Sequence, residues 1–445
     1  MFINYLVAEI GSTTTLVTAI CNESSKSYII GQGKSCTTIE EGDVNIGLNN
    51  AIKDLENNIG EKIQYGKILA SSSAAGGLKI TVHGLVEDMT VKAAKEAALG
   101  AGGNIKYITS GKLRSSDIKK IRNIKPNLLM ISGGTDYGEY ETALYNAELI
   151  KNENLDVPVI YCGNKAIEED IRGVLQGYEL YVVDNVYPRV DELKVEPTRK
   201  AIQTAFEKNI VKAPGMGEIK KYIYGNILPT PGAVMEAAKL LYDIIGDVLV
   251  IDVGGATTDV HSVTLGDKKI TDILVSPEPK AKRTVEGDLG VYVNSENLIN
   301  LLEEWEMKGK SREYIKSLIK PIPETEEEKY WVNVIAKKAV EIALNRHVGY
   351  VKRIYGTSKG YMAFGKDLSK IKYIIGTGGA LIKLGKGEEI LSSSKYLKDD
   401  ITMLPKREAE ILIDNKYVMA CCGVLMKEDK KAAEQLILQS IGINM

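Results

Sequence analysis

A two-lobed α/β architecture is what this sequence predicts, on three observations. Strand-like apolar runs alternate with glycine-rich turns and helical segments along most of the chain. Its 445 residues exceed the roughly 250 to 300 at which a single hydrophobic core stops growing, so two lobes with a cleft between them are expected. A shared plan of apolar strand, acidic residue, small residue and hydroxyls recurs in the two halves, as Ala8-Glu9-Ile10-Gly11-Ser12-Thr13-Thr14 and as Ile251-Asp252-Val253-Gly254-Gly255-Ala256-Thr257-Thr258.

Residues 1–66 are expected to begin the first lobe. Leu6–Ile10, Leu16–Ile20 and Ser27–Ile30 read as strands of a β-meander, the first two joined by Gly11-Ser12-Thr13-Thr14-Thr15. Residues 67–186 read as a Rossmann-like α/β segment with strand candidates over 105–108, 128–131, 157–161 and 180–183. Residues 187–245 are expected to hold a linker and a hinge helix, because Pro188, Pro197, Pro214, Gly215 and Gly217 cluster there. Residues 246–445 form the second lobe, with a buried strand over Asp247–Val253, its hairpin partner over His261–Leu265 and an amphipathic helix over Tyr330–Tyr350. The acidic run Glu324–Glu328 before that helix reads as a solvated first turn matched to the helix dipole.

Apolar residues make up 44% and charged residues 26% of the chain, a balance that fits full cores and excludes disorder. With a net charge of -2 and no dense basic stretch, neither nucleic acid nor an anionic membrane is expected as a partner. The segment Met1–Ala8 lacks a basic region and runs straight into a turn, so it is read as neither signal peptide nor membrane span, and a cytoplasmic location is expected. Five cysteines (Cys21, Cys36, Cys162, Cys421, Cys422) include no C-x-x-C pair, against a disulfide framework, a structural zinc site or a four-cysteine cluster within one chain. His83, His261 and His347 are scattered and read as structural. Self-association stays open.

The paired loops make physical sense if they hold phosphates. Glycines allow close backbone approach, and the amides and hydroxyls of Gly11, Ser12, Thr13, Thr14, Gly254, Gly255, Ala256 and Thr257 would donate to phosphate oxygens. A carboxylate beside phosphates repels them unless a divalent cation intervenes, so Glu9 and Asp252 are candidates to hold Mg²⁺ through its waters. A strand over 373–377 ending in a turn with Gly376, Gly378 and Gly379 opens a helix, where an adenosine could lie against the backbone.

Phosphate loop, linker, second phosphate loop and adenosine turn, in this order, resemble the superfamily of actin, hexokinase and heat-shock-chaperone ATPases across the two nucleotide halves. The resemblance implies an actin-like two-lobed ATPase fold of ribonuclease H-like domains, with Asp252 acting on Mg²⁺ or the attacking water of bound ATP. Glu9 replaces the more usual aspartate of the first motif. Pro229–Glu236 resembles the crossing helix at the hinge, with Thr230 where chaperone relatives carry a catalytic glutamate, which implies slow or partner-dependent hydrolysis.

Over nearly the whole chain, Leu6–Thr15, Ile131–Asp136 and Arg283–Gly290 are similar to segments of the accessory-protein family associated with glutamate mutase, the MutL type of that system. This implies an ATP-dependent accessory or reactivating chaperone for an adenosylcobalamin-dependent mutase, glutamate mutase or a related amino-acid mutase. The mutase subunits would be its partners and the Rossmann-like segment the gripping surface. A small-molecule kinase of the sugar-kinase type is the chief alternative, although no aspartate base on a substrate loop is evident. An iron–sulfur dehydratase activator shares the fold, but adjacent Cys421 and Cys422 would point about 100° apart on a helix. A non-hydrolysing binding module is a third class, encouraged by Thr230 alone. Ser132–Gly138 reads either as an anion-binding turn or as a plain Rossmann-like turn, and Glu286-Gly287-Asp288 is better read as a structural turn than as carboxylates facing the cleft.

Overall fold

The computed structural model describes the chain except residues 24–25, 40, 74–77, 211–213, 355–359, 396–400 and 444–445. It comprises two compact units, the first of Met1–Cys21, Ile29–Ala233 and Ser276–Pro279, the second of Asn22–Tyr28, Val234–Val275 and Lys280–Met445.

The predicted meander opens the chain as β1 (Phe2–Ile10), β2 (Thr14–Glu23) and β3 (Lys26–Cys36), followed by β4 (Gln64–Ser72). Strands β5 (Lys79–Gly84), β6 (Asn104–Ser110), β7 (Leu128–Ile131), β8 (Val159–Tyr161) and β9 (Leu180–Val182) come next, and β10 is the short Leu228–Pro229. One sheet has the order β10-β4-β1-β2-β3. In it β1 runs antiparallel to β2 and parallel to β4, and β4 runs parallel to β10. Burial of Ile3, Leu6, Val7, Ala8 and Ile10 covers both faces of β1, as a central strand under helices requires. Helix Val44–Ile59 starts where the Asp43 carboxylate accepts the Asn45 N–H and stops at Gly60, whose φ of 86° suits a left-handed cap. Gly33 of β3 allows that helix to lie against the strand, since a Cβ there would stand 2.1 Å from the Ala51 carbonyl and 2.3 Å from the Leu55 nitrogen.

A second sheet, in the order β6-β5-β7-β8-β9, is parallel throughout. This is the doubly wound order of flavodoxin-like folds, and it confirms the Rossmann-like segment. The sequence pattern finds four of its strands and misses β5. That strand alternates apolar Ile80 and Val82 with polar Thr81 and His83, which suggests a solvated face. All four are buried, because the His83 ring is hydrogen-bonded by Thr81 and Thr109 at 2.9 and 2.8 Å. Burial lowers the pKa of His83 to about 4, so the ring is neutral and structural. Where prolines predict a linker, helix Val195–Ile210 forms and buries Ile202, Phe206 and Ile210. Pro197 stands in its first turn, where no intrahelical N–H is missed.

The second unit contains β11 (Val248–Val253), β12 (Thr258–Val263), β13 (Ala281–Glu286), the hairpin β14 (Tyr350–Arg353) and β15 (Tyr361–Phe364), then β16 (Tyr373–Thr377) and β17 (Glu410–Ile413). Its sheet has the order β13-β12-β11-β16-β17. Strand β11 is antiparallel to β12 and parallel to β16, which is parallel to β17. Order and pairing senses thus repeat those of the first sheet, the ribonuclease H-like plan built twice. Helix Glu326–His347 carries Trp331, Ile335, Ala339 and Val340 into the core of this unit. Only part of the acidic run before it is solvated: Glu328 is buried and forms a reciprocal capping box with Thr325. His347 is held between Ser262 and Thr284, a second structural histidine. All five cysteines are free thiols, and Cys421 and Cys422 are buried. Among the described residues no helix is long and apolar enough to cross a membrane.

Gly33→Ala is expected to destabilise the protein by about 1–3 kcal/mol, because the new methyl must displace backbone of a packed helix. Urea unfolding at neutral pH measures the difference, and an unchanged midpoint would contradict the close packing of strand and helix.

Candidate functional site

In the second unit β11 ends at Val253 and the chain reverses at Gly254–Thr257, closed by the Gly254 N–H donating to the Thr257 carbonyl at 2.9 Å. A following segment braces the turn from behind. Val291 N–H donates to the Gly254 carbonyl, and Tyr292 and Val293 N–H donate to that of Gly255. Asn294 Nδ2 donates to the Ala256 carbonyl at 3.0 Å. In a planar trans peptide the C=O and N–H point in opposite directions. With three consecutive carbonyls held on one side, the N–H groups of Gly255, Ala256 and Thr257 are presented on the other. Among the described residues none of them meets a protein acceptor, and such a run of amides is an anion-binding nest.

Asp252 is the penultimate residue of β11, in register with Asp259 on β12 and Thr377 on β16. Burial, then the charges of Asp259 and Asp414, push its carboxyl up to about 7, with Arg283 opposing. Asp259 is paired with Arg283 at 2.9 Å, both buried, and also accepts from Thr257 Oγ1 at 3.2 Å. Asp414, fully buried, accepts from Thr377 Oγ1 and from the N–H groups of Val418 and Met419, each at 3.0 Å, which caps helix Met419–Leu425.

The three glycines of the predicted adenosine turn differ in what they face. A Cβ on Gly378 would stand 2.7 Å from Asp252 Oδ1 and 2.4 Å from the Val253 carbonyl, and its φ is 90°, so only glycine fits beside the carboxylate. Gly379 faces open space, whereas Gly376 is packed against the side chains of Leu391 and Ile413 in the core. Glu286 and Asp288 are both engaged by Arg346, in keeping with a structural turn.

The first unit repeats the plan. Glu9 is the penultimate residue of β1, in register with Leu16 and Ser71, and is partly buried. The Gly11 N–H donates to the Thr14 carbonyl at 3.0 Å, and Thr37 N–H donates to the Thr13 carbonyl at 2.9 Å. Among the described residues the N–H groups of Ser12 and Thr13 meet no protein acceptor. Position by position, Glu9 corresponds to Asp252, Gly11 to Gly254, Ser12 to Gly255, Thr13 to Ala256, Thr14 to Thr257 and Ser71 to Thr377. Thr230 follows β10 and donates to Ser71 Oγ at 3.5 Å.

Each unit therefore brings its own predicted residues together, except Gly376, which faces core side chains instead of the turn. Sequence reasoning gave no role to Asp414, to the Asp259–Arg283 pair or to the brace at 291–294. Asp414 had a usable signal, since Ile411-Leu412-Ile413-Asp414 repeats the apolar run closed by an acid seen at Asp252. The brace left little signal, because three of its four donating residues act through backbone N–H groups and only Asn294 through its side chain.

A model of the MutL protein family matches residues 5–441. The chain belongs to the MutL family. Protein MutL of Clostridium tetanomorphum is 36% identical over 453 residues, covering 95% of this chain and 96% of that protein. Among solved structures, a nucleotide-free acetone carboxylase overlaps 95% of this chain and 70% of its own at 13% identity, with a TM-score of 0.41. A nucleotide-free diol dehydratase-reactivating factor overlaps 96% and 99% at 10% identity, with a TM-score of 0.36. Likeness this low assigns no activity, and the fold rests on the repeated strand order.

Among the described residues no group of three or more His, Cys, Asp or Glu could hold a metal ion. An all-protein cage is therefore not what these residues build. Asp252 would fit Mg²⁺ in another way: its carboxyl, raised by desolvation and then by two like charges, would gain from a nearby cation that keeps most of its waters.

The raised carboxyl has a consequence for stability. The folded state holds this proton more tightly than the unfolded chain, whose aspartate titrates near 3.8. Its favourable contribution is complete below about pH 4 and is lost as pH rises through about 7. Asp252→Asn is accordingly expected to be more stable than the parent protein by about 2–4 kcal/mol at pH 8, with the two converging near pH 4. Urea titrations at both pH values decide it, and a difference independent of pH would show that Asp252 titrates normally.

Proposed function

We propose that this protein binds Mg-ATP and acts as an ATP-dependent accessory factor that reactivates an adenosylcobalamin-dependent mutase. The observation that carries the nucleotide reading is the braced turn at Gly254–Thr257, with its outward amides beside a carboxyl that titrates near neutrality. An amide nest suits any phosphate. Asp252 adds a group able to orient an attacking water and take up its proton at working pH. Bound Mg²⁺, held through water by Asp252, would neutralise phosphate charge. Ser12, Thr13 and Thr14 would donate from the first turn, and Gly379 would leave room for the adenosine that Gly378 guides past Asp252. Thr230 has a hydroxyl and no carboxylate, which fits slow hydrolysis that a partner stimulates.

Membership of the MutL family, together with the resemblance to the accessory proteins of glutamate mutase, favours a cytoplasmic mutase as that partner. An ATP cycle does work on the mutase only if affinity for it differs between nucleotide states. Releasing a damaged cobalamin is a task of this kind, since its pocket must open against tight binding.

Saturating Mg-ATP is expected to stabilise the protein, by about 2.7 kcal/mol at a hundredfold excess over Kd. A melting temperature that does not move with Mg-ATP would remove the nucleotide reading.

A second experiment addresses role. Wild-type protein with ATP, Mg²⁺ and fresh cofactor is expected to restore an inactivated adenosylcobalamin-dependent mutase. Asp252→Ala should bind ATP yet hydrolyse it at least about 100-fold more slowly, and should not rescue. No rescue, combined with ATP consumption that depends on a hydroxylated metabolite, would instead establish a small-molecule kinase.

A further inference from the structure

The parallel sheet of the first unit carries a feature that the nucleotide reading does not use. In open α/β sheets, ligands bind beyond the carboxyl ends of the strands, at the point where strand order reverses. Here that point lies between β5 and β7, and it is filled: a Cβ on Gly84 would stand 2.7 Å from Val91 Cγ2 and 2.8 Å from Ser132 Oγ. A cavity of about 270 Å³ opens further along the same edge, at the ends of β7, β8 and β9. Asp136, Lys165, Glu168, Asp184, Arg189 and Lys194 are among the side chains that line it, with buried Asn185 at its floor.

The loops that build this cavity are held in place. Asp136 Oδ1 accepts from the Lys165 N–H at 3.1 Å and from Asn185 Nδ2 at 2.9 Å. Asn185 Nδ2 also donates to the Gly134 carbonyl at 3.1 Å. Tyr137 and Asp191, in the loops after β7 and β9, have φ of 62° and 64°, a conformation that costs about 1–3 kcal/mol in non-glycine residues and concentrates at ligand sites.

The charges select the ligand class. Four acids, counting Glu192, face three bases, so a phosphate or dicarboxylate would meet as much repulsion as attraction. A metal ion has no suitable cluster among the described residues. Lys194 is spent on Asp184 at 2.7 Å, while Arg189 has only a loose contact of 4.0 Å with Glu192. Lys165 and Glu168 make no ion pair among the described residues. One uncommitted base, one loosely held base and one uncommitted acid remain beside Asp136. The volume lies just below the roughly 300 Å³ at which ordinary ligand pockets begin.

We propose that this cavity binds a small zwitterion of amino-acid size, its carboxylate toward Lys165 and Arg189 and its ammonium toward Glu168 and Asp136. The site belongs to the parallel sheet alone and stands or falls independently of ATP binding.

Calorimetry on the full chain tests it with the standard α-amino acids, the matching carboxylic acids lacking the amine, the matching amines lacking the carboxylate, and inorganic phosphate. At least one amino acid is expected to bind, with both truncated analogues at least about tenfold weaker. Arg189→Ala and Glu168→Gln, both on exposed or half-exposed positions, are expected to weaken binding about tenfold each while leaving the urea midpoint unchanged. Three outcomes overturn the proposal: no heat from any amino acid up to about 10 mM, well above ordinary millimolar affinities; equal binding of phosphate or an analogue lacking one charge; or full affinity in the Arg189→Ala, Glu168→Gln double variant.

Discussion

The geometry of one planar peptide after another governs the site in the second unit. Amides can converge on an anion only if their carbonyls are satisfied elsewhere, because each carbonyl points opposite to the N–H of its own peptide group. Backbone donors of Val291, Tyr292 and Val293 and the Asn294 side chain meet that requirement. Gly290 makes the approach possible, since a Cβ there would stand 2.3 Å from the Ala256 carbonyl carbon. Helix Glu326–His347 in turn fixes the bracing segment, as Arg346 from its last turn grips Glu286 and Asp288. The turn is therefore rigid before any ligand arrives, and the cost of orienting its donors is met by folding.

Beside this turn the fold tolerates an unfavourable concentration of charge. Asp252, Asp259 and Asp414 are opposed by Arg283 alone in the balance that raises the Asp252 carboxyl. Asp259 is paired with Arg283, and Asp414 accepts hydrogen bonds from Thr377, Ser440 and the N–H groups of Val418 and Met419. Asp252 is the one left with insufficient compensation. A partly buried carboxyl kept in this state detracts from stability, and carboxyls of this kind cluster at functional sites. The neighbouring Gly378 leaves room for the carboxylate, since a Cβ there would stand 2.7 Å from Asp252 Oδ1.

How far the sequence discloses this arrangement follows from which groups carry it. Strands over buried apolar runs such as Leu128–Ile131 and Val248–Val253 are legible because every residue declares itself. The phosphate-type turns are legible because glycines and hydroxyls are required at fixed offsets from an acid. Strand β5 is not, since His83 and its threonine partners satisfy one another internally and mimic a solvated edge. The helix at Val195–Ile210 is obscured by Pro197, which breaks helices in their interior and favours their first turn, and the sequence does not mark which applies. Glu328 hides in an acidic run whose other members are solvated. Long-range pairs such as Asp259 with Arg283, 24 positions apart, have no local pattern at all.

Duplication of the sheet makes the differences between the two copies informative. At corresponding positions the first unit offers Glu9 and Ser71, and the second offers Asp252 and Thr377; beyond them Thr230 is bonded to Ser71 and Asp414 to Thr377. The partner of the strand-end hydroxyl is thus a hydroxyl in the first unit and a carboxylate in the second. Hydroxyl and amide donors bind a phosphate without exchanging protons with it, whereas a carboxyl titrating at about 7 both binds and exchanges. On the proposed reading, the second turn carries the step that consumes the nucleotide. The two copies differ in the side chains around a common turn, which is closed in each by the same backbone hydrogen bond, from glycine to threonine.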